Sequence, residues 1–203
     1  MNQILFDKKE NSKKSYIFKF QFILSIILAI ITIAVIIFTY NEEESLENIA
    51  KTIDKNFELS SIYNTTKTTS KEELYFGRII IDKIDLKYSV FNNYNEELLK
   101  ISPCKFYGVG FEEKGNICIA AHNYNDNRFF GRIDELEIKD TIILEDLFGN
   151  EFIYTIYNIF ETEENDISIL KATKNYELTL LTCNNSNKKR IIIKAYRKEY
   201  WKN

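Results

Sequence analysis

The chain has 203 residues and carries 27 basic and 30 acidic side chains, with a single histidine and three cysteines. Residues 1–40 hold 5 of the basic and 2 of the acidic side chains. The remaining 163 residues therefore hold 22 basic and 28 acidic side chains, a formal charge of −6 that argues against nucleic-acid binding. Three cysteines allow at most one bridge, which excludes a disulfide-dense scaffold.

An uncharged apolar segment covers residues 20–40. As a helix rising about 1.5 Å per residue it would be roughly 32 Å long, which matches one bilayer core. Five lysines precede it and Glu42, Glu43 and Glu44 follow it, so the positive-inside rule predicts a cytoplasmic N-terminus and an extracellular remainder. The alternative is a cleaved signal peptide, although the apolar run exceeds the usual core of about 7–15 residues in such peptides.

Four segments are predicted along the chain. Residues 1–19 form a basic cytoplasmic segment, residues 20–40 a transmembrane anchor, residues 41–74 a connector and residues 75–203 a folded domain. Within the connector, apolar residues recur at spacings of three and four from residue 44 to residue 57, which predicts an amphipathic helix. Residues 60–73 are polar without periodicity and are predicted to be flexible.

The folded domain contains eight short β-rich runs separated by Gly, Asn, Asp and Lys clusters. They cover residues 77–82, 86–91, 105–109, 116–120, 141–144, 151–160, 176–182 and 190–197. A short helix is predicted near residues 95–101, and a further turn of helix near residues 128–136. Eight strands at this spacing favour a closed or nearly closed barrel.

Three residues bear the chemistry of acyl transfer. His122, the only histidine, follows an apolar run and begins a polar turn. Cys183 lies 61 residues later, at the end of a strand-like segment, and Arg190 begins the last strand. A thiol, an imidazole and a guanidinium suffice to attack a carbonyl, move its proton and hold the resulting oxyanion. The non-catalytic alternatives are that the cysteine is a buried structural residue and that the histidine is a solvated loop residue. A single histidine excludes a multi-histidine metal site.

Several motifs resemble the sortase family, from about Gly77 to Tyr196. The resembling segments occur in the family's order: Gly77-Arg-Ile-Ile-Ile-Asp, Gly115-Asn-Ile-Cys-Ile-Ala-Ala-His-Asn-Tyr, Phe130-Gly-Arg-Ile-Asp-Glu-Leu, the TLxTC-like Thr179-Leu-Leu-Thr-Cys183, and Arg190-Ile-Ile-Ile-Lys-Ala. Two positions depart from the family pattern. Ala121 replaces the usual glycine before the histidine, and Lys83 replaces a frequent proline.

The resemblance implies a mainly β fold, with an eight-stranded sortase-like β-barrel and short helices after one N-terminal transmembrane helix. It implies a membrane-anchored cysteine transpeptidase in which Cys183 is the nucleophile, His122 the acid-base group and Arg190 the oxyanion-stabilising residue. Thr182 is the candidate for substrate binding. The implied partners are secreted proteins bearing an LPxTG-like sorting signal and an amine of a cell-wall precursor or another amine acceptor.

No cofactor is expected from these residues. Calcium is an open alternative, because some sortases bind it between the corresponding loops and carboxylate oxygens suit this ion. The acidic residues that would serve are Glu112, Glu113, Glu161, Glu163, Glu164 and Asp166, for which a solvated acidic surface is the competing interpretation. Cys104 and Cys118 are predicted to be structural.

Two other functions compete with transpeptidation. A cysteine endopeptidase would use the same Cys-His pair and let water resolve the acyl-enzyme. A surface-anchored binding module would keep the barrel without turnover, although binding alone requires none of the three reactive side chains.

Overall fold

The computed structural model describes residues 2–62, 74–186 and 188–197. A long helix, α1, covers Asn2–Ile62. By their contacts the residues form two units, Met1–Leu46 and Glu47–Asn203, so α1 contributes to both. The predicted flexible segment overlaps residues 63–73, which lie outside the described residues.

In the first unit, the apolar side chains of residues 20–40 are exposed. Among the described residues, one helix is long and apolar enough to cross a bilayer, Phe18–Lys55. Three hydroxyl groups within its apolar part donate hydrogen bonds to carbonyls three residues earlier: Ser25 to Phe22, Thr32 to Ala29 and Thr39 to Ile36. These polar groups are therefore satisfied inside the helix, as an apolar solvent requires.

The second unit contains eight strands, as the sequence predicts. They are β1 Tyr75–Ile81, β2 Leu86–Phe91, β3 Cys104–Gly108, β4 Gly115–Ala120, β5 Thr141–Glu145, β6 Glu151–Thr162, β7 Tyr176–Cys183 and β8 Arg190–Arg197. Helix α2 covers Glu96–Ile101, and the Asn95 side chain caps it by accepting a bond from the Leu98 N–H at 2.7 Å. Three short 3-10 turns cover Asp82–Ile84, Ile133–Glu135 and Ile167–Leu170.

The strands close into a barrel in the order β1-β2-β3-β4-β7-β8-β6-β5, which confirms the predicted mainly β barrel. Most neighbours are antiparallel, but β2 and β3 pair in parallel at one position, and β4 and β7 run parallel over six residue pairs. Parallel neighbours need a long crossover, which here carries β5 and β6 around the barrel. The ends of β4 and β7 consequently lie side by side.

Successive side chains along each strand point to opposite faces of the barrel wall, and both faces carry apolar side chains that form separate layers. Ile117, Ile119, Leu178 and Leu180 point into the barrel and join the main core. Their neighbours on the opposite face form a smaller cluster of Phe91, Leu99, Cys104, Cys118, Ala120, Ile169, Leu181 and Ile192. Helix α2 and the turn Ile167–Leu170 cover this outer face because they contribute Leu99 and Ile169 to it.

The part of α1 that belongs to the second unit packs on β1 and β2. Ala50 is buried, and Asp54 Oδ1 lies 3.2 Å from Nε of the buried Arg78 on β1. The Ser89 hydroxyl on β2 donates to the same carboxylate at 3.2 Å, and Glu145 on β5 lies 3.4 Å from Arg78 Nη1. A buried guanidinium needs such partners, because an unpaired buried charge costs several kcal/mol.

Candidate active site

The parallel pairing of β4 and β7 brings His122 and Cys183 to the same end of the barrel. Ala120 is aligned with Leu181. His122 follows Ala120 by two positions, and Cys183 follows Leu181 by two positions. Two side-chain hydrogen bonds follow the last paired residues. The Thr182 hydroxyl donates to the Ala121 carbonyl at 2.7 Å, and Asn123 Nδ2 donates to the Cys183 carbonyl at 3.0 Å. These two bonds fix the backbone on both sides of the histidine against the backbone of the cysteine.

The antiparallel pairing of β7 and β8 adds the arginine. Cys183 and Arg190 are aligned opposite each other, and Arg190 Nη1 lies 2.5 Å from Cys183 Sγ. Nη2 of the same guanidinium donates to Glu164 Oε1 at 2.9 Å. Arg197 lies at the other end of β8, where it pairs with Tyr176.

A cavity of about 290 Å³ lies on the outer face of the barrel beside these residues. Its walls come from the α2 region, the ends of β4 and β7, and the connection between β6 and β7. The lining residues are Tyr94, Glu96, Leu99, Phe106, Ala120, Ala121, His122, Glu164, Asp166, Ile167, Ile169, Leu170, Leu181, Thr182, Cys183 and Arg190. A cavity whose surface is mainly apolar and which carries several polar side chains is typical of a ligand-binding site.

The three cysteines differ in exposure. Cys183 is exposed, whereas Cys104 and Cys118 are buried, and all three thiols are free. Burial raises the pKa of Cys104 to about 12 and that of Cys118 to about 11. The thiolate is the reactive form of a cysteine, so both buried thiols are poor nucleophiles at neutral pH.

The His122 imidazole is half-buried, and this burial lowers its pKa from 6.5. The charge of Glu96 raises this pKa, while those of Lys100 and Arg128 lower it. The ring centroid of Tyr124 lies 5.0 Å from that of the histidine. The imidazole is therefore mainly neutral at pH 7 and available to accept a proton.

The loop after His122 is folded back on itself. The Phe130 N–H donates to the His122 carbonyl at 3.0 Å, and Asn185 Nδ2 donates to the Asn123 carbonyl at 2.8 Å. Gly131 lies so close to this loop that a Cβ there would collide with the Tyr124 carbonyl oxygen. The loop that carries the histidine is thus tied both to the segment 128–131 and to the loop between β7 and β8.

The acidic residues before β7 pair with the loop that follows Cys183. Glu161 accepts a hydrogen bond from Asn184, Glu163 lies 3.6 Å from Lys189, and Glu164 binds Arg190. Asp166 caps its own turn by accepting from the Ser168 N–H at 2.9 Å. Within residues 2–62, 74–186 and 188–197, no three or more His, Cys, Asp or Glu side chains are grouped to hold a metal ion.

The structure brings together all four residues predicted from the sequence. His122, Thr182, Cys183 and Arg190 line one cavity. The Thr182 side chain is buried and its hydroxyl is engaged with Ala121. Sequence reasoning did not assign Asn123 or Glu164 to the site. Asn123 directly follows the only histidine, which was a usable signal, whereas nothing local distinguishes Glu164 from the neighbouring acidic residues.

The fold and the site together define a closed eight-stranded β-barrel protein with a cysteine, a histidine and an arginine at the mouth of an outer-face cavity. The family model of the Sortase domain matches residues 79–198. The chain therefore belongs to the sortase family.

Individual relatives agree with this assignment. Sortase A of Listeria monocytogenes is 30% identical over 108 residues, which are 53% of this chain and 48% of that protein. The chain thus matches about half the length of this curated relative. The structure of a Clostridium perfringens Sortase D5 transpeptidase has a TM-score of 0.65 at 27% identity and covers 75% of this chain and 100% of its own. The structure of Listeria monocytogenes sortase A has a TM-score of 0.57 at 26% identity, and the match covers 62% of this chain and 88% of that one.

Proposed function

We propose that this chain is a membrane-anchored cysteine transpeptidase that cleaves an LPxTG-like sorting signal and transfers the protein to an amine. The observation that carries the proposal is the convergence of His122, Cys183 and Arg190 on one cavity, with the guanidinium in contact with the sulfur. The family relationship and the naming of one structural relative as a transpeptidase support the same reaction.

In the first half-reaction, neutral His122 accepts the Cys183 proton and the thiolate attacks the scissile carbonyl carbon. The carbonyl oxygen becomes an oxyanion, to which Arg190 donates through its planar guanidinium. Collapse of the tetrahedral intermediate breaks the C–N bond. His122 returns the proton to the departing amine, and a thioester remains on Cys183.

In the second half-reaction, an amine of a cell-wall precursor or another acceptor attacks the thioester. His122 takes a proton from this nucleophile and delivers it to the departing sulfur, so the enzyme regains its starting state. A new amide bond forms and the C–S bond breaks. Thr182, at the cavity wall beside Cys183, is proposed to contact the peptide through its backbone or methyl group, since its hydroxyl is already bonded to Ala121.

The apolar helix through residues 20–40 is proposed to anchor the chain with its N-terminus in the cytoplasm. Lysines concentrated before the apolar segment and glutamates directly after it support this orientation. The barrel would then act outside the cell, where secreted substrates and cell-wall precursors are available. A cysteine introduced at residue 2 or at residue 174 and labelled with a membrane-impermeant thiol reagent tests this orientation, in a Cys183→Ala background where Cys104 and Cys118 are buried.

Intact mass spectrometry of the full chain in detergent tests the reaction. The protein is incubated with LPxTG-like and NPxTG-like peptides, and then with oligoglycine or a stem-peptide mimic. The proposal predicts a thioester adduct in the wild type and in the matched Cys118→Ala variant, none in Cys183→Ala, and conversion to an amine-linked product.

Two other results would contradict transpeptidation. An adduct that is resolved only by water, with every amine offered, would identify an endopeptidase. Peptide binding that survives Cys183→Ala, together with no adduct on the wild type, would identify a binding module.

A further inference from the structure

The carbonyl oxygen of Ile169 accepts hydrogen bonds from two buried side chains. Lys194 Nζ on β8 donates at 2.8 Å, and Asn116 Nδ2 on β4 donates at 2.9 Å. Lys194 is 9% exposed and Asn116 is 2% exposed. A carbonyl oxygen has two lone pairs, so these two donors use its full capacity.

Both donors are themselves held by the strand between them. Lys194 Nζ also donates to Glu177 Oε1 at 2.7 Å, and the Thr179 hydroxyl donates to Asn116 Oδ1 at 2.7 Å. Glu177 and Thr179 belong to β7, which lies between β4 and β8 in the barrel. Three neighbouring strands therefore fix the position of one backbone oxygen. Burying a lysine is costly, and these partners offset the cost.

The fixed oxygen belongs to a wall of the candidate active site. Ile169 lies in the turn Ile167–Leu170, and three of this turn's side chains, Ile167, Ile169 and Leu170, line the cavity together with Cys183 and Arg190. Ile167 is 78% exposed, so its own packing does little to hold the turn. The buried bonds to Ile169 hold the turn against the outer face of the barrel.

We infer that Lys194 and Asn116 are positioning residues that set the peptide-binding wall of the cavity, an inference that rests on the proposed function. Lys194 is aligned with Thr179, four residues before Cys183 along β7, so it acts at a distance from the reacting sulfur. Loss of its ammonium group frees the wall without touching Cys183, His122 or Arg190. Peptide affinity therefore falls, while the reactivity of the thiol stays as it is.

The test compares Lys194→Met and Lys194→Arg with the wild-type full chain in detergent. Methionine keeps the length of the side chain and removes its donors, whereas arginine keeps donors at a similar reach. Lys174→Met is the matched control, because Lys174 is exposed in the same connection between β6 and β7. The first readout is amide hydrogen exchange of residues 166–171, with strands β1 and β5 as the reference for the global fold. The second is single-turnover thioester formation as a function of LPxTG-like peptide concentration.

For Lys194→Met we expect exchange in the turn and the half-saturating peptide concentration each to rise about tenfold, the size typical of losing a hydrogen bond from a charged donor. The maximal acylation rate and the alkylation rate of Cys183 should stay within about twofold. Lys194→Arg should lie closer to the wild type, and Lys174→Met should be indistinguishable from it.

Unchanged exchange in the turn would overturn the inference. Faster exchange with an unchanged half-saturating concentration would also overturn it, because the wall would then not serve the peptide. If Lys194→Met also speeds hydrogen exchange in β1 and β5, the global fold is affected, and Asn116→Ala replaces Lys194→Met in both measurements. Absence of a thioester on the wild type would refute the proposed function, while the exchange data would still decide whether Lys194 holds the turn.

Discussion

Arg190 faces Cys183 across the β7–β8 pair, and its guanidinium contacts both the sulfur and the Glu164 carboxylate. The two ends of one planar fork thus have different partners. One end is directed at the Cys183 sulfur, and the other is held by the connection before β7. The orientation of the guanidinium is fixed before any substrate enters.

Removing this guanidinium should slow acylation strongly. For Arg190→Ala we expect a fall of about 10²–10³ in kcat/KM, the usual cost of losing an oxyanion donor. Arg190→Lys should remain poor, because a point charge cannot contact two partners with a planar fork. Lys189→Ala is the matched control in the neighbouring position. Steady-state kinetics with an LPxTG-like peptide checks both, and near-normal activity of Arg190→Ala would refute its assigned role.

One thiol of three should react with an alkylating agent under native conditions. Cys183 is exposed, whereas burial raises the pKa of Cys104 to about 12 and that of Cys118 to about 11. Intact mass after brief iodoacetamide treatment should show a single adduct, which Cys183→Ala removes and Cys118→Ala retains. Two or three adducts on the folded wild type would contradict the described burial.

The acid limb of the pH–rate profile should reflect the neutral form of His122. Burial lowers the pKa of this imidazole from 6.5, so acylation should be lost only as pH falls through a midpoint below 6.5. Since Glu96 raises this pKa and Lys100 lowers it, Glu96→Gln should move the midpoint to lower pH and Lys100→Gln to higher pH.

A direct measurement separates this effect from a change in rate-limiting step. The chain has one histidine, so an NMR titration of the imidazole gives a single curve without assignment. The titration midpoints of the three proteins should follow the same order as their kinetic midpoints. Shifts of both variants in one direction would show that charge near His122 is not the cause.

The hydrogen bond between Thr182 and Ala121 should stabilise the junction of β4 and β7. Thr182→Val keeps the side-chain volume but removes the buried donor at 2.7 Å, which should lower the free energy of unfolding by about 1–3 kcal/mol. Thr182→Ser keeps the hydroxyl and should lose less. Urea unfolding of the full chain in detergent measures both, and equal stability of Thr182→Val and wild type would show that the bond contributes nothing.

Gly131 should be required for the loop that carries the histidine. An alanine Cβ there would collide with the Tyr124 carbonyl oxygen, so Gly131→Ala must displace residues 123–130. We expect a stability loss of about 1–3 kcal/mol and a changed imidazole NMR signal. Gly110→Ala is the control, since its Cβ would meet only the flexible Glu113 side chain at 3.1 Å. An unaltered imidazole signal in Gly131→Ala would contradict the described packing.

Strand positions were predictable because they depend on local pattern. The predicted segment 86–91 coincides with β2, and the segment 190–197 coincides with β8. Ends elsewhere shift by one or two residues, as for β6, which continues to Thr162. The helical turn predicted near residues 128–136 is the 3-10 turn Ile133–Glu135, and the residues before it fold back on the histidine loop.

The site was predictable to the extent that its residues are chemically distinctive. The only histidine, a cysteine at a strand end and the arginine that begins the last strand could be singled out from residue type and position. Glu164 and Lys194 could not, because their positions depend on which loop crosses the barrel and which strands become neighbours. Nothing in the sequence around Lys194 indicates that its ammonium group binds a carbonyl 25 residues away.

The parallel pairing of β4 and β7 also determines where this protein tolerates changes in length. Neither β5 nor β6 lies between β4 and β7 in the strand order. The turn at residues 146–150 joins β5 to the end of β6 opposite Thr162, the residue that pairs with Arg190. Gly149 has open space around it, so extra residues or a reporter peptide inserted there should leave the spacing of His122 and Cys183 unchanged. The hairpin is accordingly a place to tag the protein without altering the candidate site.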